Sequence, residues 1–184
     1  MADIHRYSSI VKRYRLMLPD RRTHLVFWPL LAGGLALDLW TKKAVFTWLR
    51  YGESFPLIKG FAHLMKALND GAAFSIFAGK PFLLTLVSAV AMLVIVAVFL
   101  SSGRQHPSIH VALGLFAAGV CGNLYDRIFN DGLVRDFIDV VYWPGRHWPT
   151  FNVADSLLCI GVGLLVVSAL VTPKSVQTRG RQQK

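Results

Sequence analysis

Charge is scarce in this sequence. Asp, Glu, Lys and Arg make up 16% of its 184 residues, against roughly 25% in an ordinary soluble domain. Acids are scarcer still, ten against twenty Lys and Arg. With 54% hydrophobic residues and a mean hydropathy of +0.46, the composition points to a membrane protein. There are two cysteines, Cys121 and Cys159, each inside an apolar run. They read as small buried hydrophobes, and nothing requires a disulfide. The six histidines form no ligand cluster, and HPSIH is interrupted by Pro107. No metal or cofactor is indicated. The net charge of +10 comes without an aromatic-basic platform or a known motif, which argues against nucleic acid as a partner.

What is present is four apolar runs, at about 25–45, 82–100, 109–124 and 157–171. A bilayer core of ~30 Å needs about 20 helical residues. The last two runs reach that length only with their flanking turns. The first is broken by Asp38, Lys42 and Lys43, while the second holds no charge. In a four-span chain both tails and the connector SSGRQHPSIH share one side. That side carries eleven Lys and Arg, and the longer opposite loops carry six. The bias makes both termini cytoplasmic. Basic tails at 1–23 and 173–184 then bracket a membrane domain at 24–172, where the tails suit anionic lipids. Trp48, Trp143 and Trp148 fall near the outer interface, as an aromatic belt would. The N-terminal stretch does not read as a cleavable signal peptide, because its basic run is long and the apolar run after it contains Asp38.

Placed on that topology, eight of the ten acids lie at or beyond the outer ends of the spans, and only Asp3 and Asp20 lie inside. Asp38 and Lys42 in DLWTK are four apart, hence on one helix face with the acid N-terminal. They read either as a structural ion pair or as part of a site. In NDGAAFS, Asn69 can bond a peptide on both donor and acceptor sides and Gly71 permits close backbone approach; an ordinary turn would look the same. Gly114, Ala118, Gly122 and Asp126 recur every four residues, a stripe on which another helix can pack closely. Asn123, Asp126 and Arg127 either shape a site or end a helix. LVRDFIDV alternates as a short extended stretch would, with Asp136 and Ile138 on one side and Arg135, Phe137 and Asp139 on the other. In FNVADSLL, Asn152, Asp155 and Ser156 suit a helix start. Capping alone does not explain why several acids gather at one depth.

DLWTK, NDGAAFS, GNLYDR, RDFIDV and FNVADS, in this order between four apolar runs, closely resemble the lipoprotein signal peptidases (signal peptidase II) over roughly residues 25–172. The resemblance implies an α-helical membrane protein with four transmembrane helices, a small extracytoplasmic β-sheet and a short interfacial helix between spans one and two. It implies a bacterial inner-membrane aspartic protease that removes the signal peptide of prolipoproteins just before a diacylglyceryl-bearing cysteine. The catalytic pair falls on Asp136 and Asp155; supporting residues match Asp38, Lys42, Asn69, Gly71, Asn123, Asp126, Arg127 and Asn152. Asp126 is thereby supportive rather than catalytic. The partners implied are the lipidated precursor and membrane lipids, with no obligate protein partner. This sequence departs from the family at Ala118 and Cys121, and at Arg135, where an apolar residue is common. Alternation would send the Arg135 side chain away from Asp136. A proton- or cation-coupled transporter would need acids spread through the bilayer depth, and a non-catalytic scaffold would tolerate alanine at both aspartates. A Gly-x-Gly-Asp intramembrane protease is excluded, since that tetrapeptide does not occur.

Overall fold

The computed structural model describes residues 18–72, 76–103 and 107–171. The basic tails at 1–17 and 172–184, Arg104 and residues 73–75 of NDGAAFS lie outside the described residues. Helix α1 spans Arg21–Trp48 and starts at Asp20, whose carboxylate accepts from the Thr23 N–H at 3.0 Å. It satisfies one of the donors every helix start leaves unpaired. Pro81 occupies the first turn of α2, Pro81–Leu100, where a missing N–H costs nothing. Helices α3, Pro107–Phe129, and α4, Val153–Val171, complete the set. All four are long and apolar enough to cross a membrane. The chain is therefore a multi-pass α-helical membrane protein. Helix α2 shows why: Leu86, Val90, Leu93 and Val94 face outward from the bundle, a distribution that suits lipid rather than water.

Helix α3 is the hub, packing on all three other helices. Its small residues divide the work by face. A side chain at Gly114 would meet the Phe27 carbonyl and Leu30 of α1, and one at Gly119 would stand 2.4 Å from the Ala154 carbonyl of α4. Such close backbone approach is how helices associate where lipid supplies no hydrophobic drive. Phe27 of α1 stacks on Phe99 of α2 at 4.0 Å between ring centres, in a cluster with Ile95, Leu113, Ala117 and Val120.

At one end of the bundle sits a four-stranded antiparallel sheet in the order β1-β2-β3-β4. Strands β1, Ser54–Ile58, and β2, Ala62–Asn69, follow α1; β3, Val134–Trp143, and β4, Arg146–Phe151, join α3 to α4. The chain enters the sheet from the C-terminal ends of α1 and α3 and leaves into the N-termini of α2 and α4. That fixes which helix ends meet the strands. Phe137 of β3 buries against Val45 of α1 and Leu49 just past its end, tying sheet to bundle. Between α3 and β3 the chain reverses through Asp131 and Gly132, both left-handed at φ 52° and 82°. A Cβ at Gly132 would lie 2.4 Å from Pro81.

One expectation is adjusted. The helices outrun their apolar runs, α3 reaching Phe129 and α4 beginning at Val153, because Asn123, Asp126 and Asp155 find partners inside the bundle and need not end the helix. The short interfacial helix is not among the described residues between α1 and α2. There, residues 54–58 and 62–69 are committed to strand pairing, with left-handed Gly52 and Gly60 turning the chain.

Candidate active site

The site is assembled from the C-terminal part of α1, the last turns of α3, the first turn of α4 and the adjacent strands β2 and β3. Asp38 and Lys42 are both wholly buried, with Lys42 Nζ 2.8 Å from Asp38 Oδ2. The same ammonium reaches Asp126 Oδ2 and donates to Asn123 Oδ1, each at 3.1 Å. The other Asp38 oxygen accepts from the Ala154 N–H at 2.8 Å. An acid on α1 thus caps the first turn of α4, where the helix dipole favours negative charge. Gly122 makes this approach possible: a Cβ there would stand 2.4 Å from the Asp38 carboxylate. Hence the stripe at Gly114, Ala118, Gly122 and Asp126 is one seam along which α1 lies, ending in an ion pair.

At the start of α4, Asn152 and Asp155 cap reciprocally. Asn152 Oδ1 accepts from the Asp155 N–H at 3.0 Å, and Asp155 Oδ2 accepts from the Asn152 N–H at 3.1 Å. This is a capping box built from Asn and Asp. It occupies one Asp155 oxygen; the other accepts from Asn123 Nδ2 at 2.7 Å. Asn152 Nδ2 in turn donates to Asp136 Oδ1 at 2.6 Å and to Asn123 Oδ1 at 3.1 Å. Asn69 Nδ2 donates to the second Asp136 oxygen at 2.9 Å, while its own oxygen accepts from the Gly71 N–H at 2.9 Å. Arg127 closes the ring, donating to the Gly71 carbonyl at 3.0 Å. The role of Gly71 is carried by its peptide group on both sides.

Three asparagines therefore orient two carboxylates. Asp136 is 2% exposed, and burial pushes its carboxyl up to about 7, with the Asp155 charge adding to the rise. The amides of Asn69 and Asn152 and the Lys42 charge oppose the shift without cancelling it. Asp155 is half-buried. Two acids so placed, one inclined to keep its proton near neutral pH, can act as donor and acceptor toward a single bound water.

All ten residues singled out in the sequence meet at this end of the bundle. The alternation of β3 also holds where it matters: Asp136 turns to the asparagines and Phe137 to the α1 cluster. Ile138 departs from the expected alternation, packing against the same cluster as Phe137; the β2–β3 register shifts between Leu64 and Ala67, opposite Ile138 and Asp136. Sequence reasoning missed the destination of Arg135, which grips Asp126 through its guanidinium and its backbone N–H. The signal was an acid and a base nine residues apart across an Asp-Gly reversal. It also missed Asp139, which meets His147 Nδ1 at 2.9 Å and lies 3.7 Å from His63, away from the asparagine ring. Among the described residues no group of three His, Cys, Asp or Glu could hold a metal ion.

Four apolar helices with a polar, acid-bearing centre built by one end of the bundle define a multi-pass membrane protein with the makings of a hydrolase. The family model for signal peptidase (SPase) II matches residues 30–171. The lipoprotein signal peptidase of Geobacter sulfurreducens is 40% identical over 152 residues, covering 80% of this chain and 93% of the relative. That of Desulforapulum autotrophicum is 40% identical over 137 residues, 72% of this chain and 83% of the relative. A bacterial membrane enzyme solved by the in meso method at 2.3 Å superposes with a TM-score of 0.74 at 29% identity, covering 91% of this chain and 96% of that one. The chain belongs to the signal peptidase II family, and is a peptidase.

Proposed function

We propose that this protein is an aspartic endopeptidase that cleaves the signal peptide from diacylglyceryl-modified prolipoproteins, N-terminal to the lipidated cysteine. Asp136 and Asp155 are the catalytic pair. The observation that carries this reading is Asn152, which bonds Asp136 through its side chain and Asp155 through its backbone, so one residue registers both carboxylates. Two neighbouring carboxylates do not both ionise cheaply, so they share a proton at neutral pH. The ionised member takes a proton from the attacking water. The protonated member supplies one to the scissile carbonyl, and the leaving amine is protonated as the tetrahedral species collapses. The pair titrates as a unit.

Asp38, Lys42, Asn69, Gly71, Asn123, Asp126, Arg127 and Asn152 hold the geometry. The site faces the outer side of the bacterial inner membrane with both termini cytoplasmic, an orientation supported by the excess of Lys and Arg on the opposite side of the spans. That depth suits a substrate whose lipid stays in the bilayer while its peptide bond reaches water. The family match to relatives named lipoprotein signal peptidase supports the substrate class. The test is incubation of the detergent-purified protein with a diacylglyceryl-modified precursor and an unmodified control, read by mass. Cleavage confined to the lipidated precursor is expected, and abolished in Asp136→Asn and Asp155→Asn. Wild-type processing by either variant refutes the assignment.

A further inference from the structure

Asp126 has no exposed surface, yet both its oxygens are fully engaged. Oδ1 accepts from Arg135 Nε at 3.1 Å and from Arg135 Nη2; Oδ2 accepts from the Arg135 backbone N–H at 3.0 Å and lies 3.1 Å from Lys42 Nζ. One residue thus holds a carboxylate by its fork and by its peptide. Together with Asp38 and Lys42 the charges alternate along the chain of contacts: Asp38, Lys42, Asp126, Arg135. They sum to zero. Without the guanidinium, two buried carboxylates would share one contacting ammonium, with Arg127 acting on Asp126 only through space, an imbalance that low-dielectric surroundings penalise. Arg135 also immediately precedes Asp136, and its grip pins the start of β3 to the last turns of α3.

We propose that Arg135 is a positioning residue for the peptidase reaction, acting through Asp126 to neutralise the buried ion cluster and to fix the strand that presents Asp136. The proposal rests on Asp136 being half of the catalytic pair. Small displacements of a reacting group cost rate, about 100-fold for an ångström.

The experiment measures kcat and KM on the lipidated precursor for Arg135→Gln, Arg135→Lys, Asp126→Asn and the Asp126→Asn/Arg135→Gln double variant, each normalised to its folded fraction by size exclusion. Arg135→Gln is expected to lower kcat about tenfold or more with KM within about twofold. Arg135→Lys should retain more activity than Arg135→Gln, since it restores charge but not the fork. The double variant should exceed Arg135→Gln alone, because neutralising Asp126 restores the charge balance. Wild-type kcat in Arg135→Gln overturns the proposal. So do single losses that simply multiply in the double variant, and a loss that vanishes after correction for folded fraction. Asp136→Asn run alongside separates the two failures. An active Asp136→Asn refutes the catalytic assignment itself, whereas an inactive one beside an unaffected Arg135→Gln refutes only the role of Arg135.

Discussion

Asp136→Asn tests the electrostatics of the site independently of catalysis. The wild-type carboxyl is raised from 3.8 to about 7 by burial and by Asp155. A folded-state value above the unfolded one means that folding holds the proton more tightly than the open chain does. The resulting destabilisation is absent below about pH 4, grows as pH rises toward 7, and is constant above it. A rise of about three units, at 1.36 kcal/mol each, sets a ceiling of ~4 kcal/mol. Integrated between pH 5 and pH 8, the same shift gives about 2–3 kcal/mol of lost stability. Asparagine cannot ionise, so the variant escapes this loss. Its amide nitrogen will face a donor from Asn69 or Asn152, at a cost of about 1–3 kcal/mol, but that cost does not depend on pH. The measurement is the thermal midpoint in detergent at pH 5 and pH 8 for both proteins. The wild type should lose more on going to pH 8 than the variant does, with the variant's gain accruing up to about pH 7 and level beyond it. Parallel pH dependences would show that Asp136 titrates as an ordinary carboxylate and that burial does not govern it.

Other perturbations follow from the same contacts. Asn152→Ala removes the amide that bonds Asp136 and the oxygen that caps α4, and should cut kcat by at least about 100-fold in the lipidated-precursor assay. It should also lower the thermal midpoint through the lost cap, worth ~1 kcal/mol. Gly122→Ala puts a methyl 2.4 Å from the Asp38 carboxylate. Overpacking of this kind costs about 1–3 kcal/mol, read as a lower thermal midpoint; because the ion pair is displaced with the helix, activity should fall with it. A Gly122→Ala protein as stable and active as the wild type would mean that α1 and α3 do not meet along this seam.

Much of this architecture was legible in the chain. The four spans followed from apolar runs, and the seam along α3 from small residues every fourth position. The convergence of acids followed from orientation, because alternate spans bring their ends to the same side. What did not follow was the division of labour among the acids. Asp126 sits in the most recognisable motif yet is saturated by Arg135 and Lys42, while Asp136 in a plain alternating stretch receives only amides. Periodicity says which face a residue occupies, not which neighbours from distant elements occupy it too. Asp155 shows the limit from the other side. The helix-start reading was correct for one of its oxygens, and only the position of Asn123, 32 residues earlier, reveals the task of the other.

The Asp38–Lys42–Asp126 contacts also bear on how the chain is made. Helix α1 is synthesised first and carries an acid and an ammonium whose remaining partners, Asn123, Asp126 and the Ala154 N–H, arrive 81 or more residues later. Until then the turns that carry them are poorly matched to hydrocarbon. The internal Asp38–Lys42 pair lowers that mismatch, and the arrival of α3 and α4 supplies the contacts that complete it.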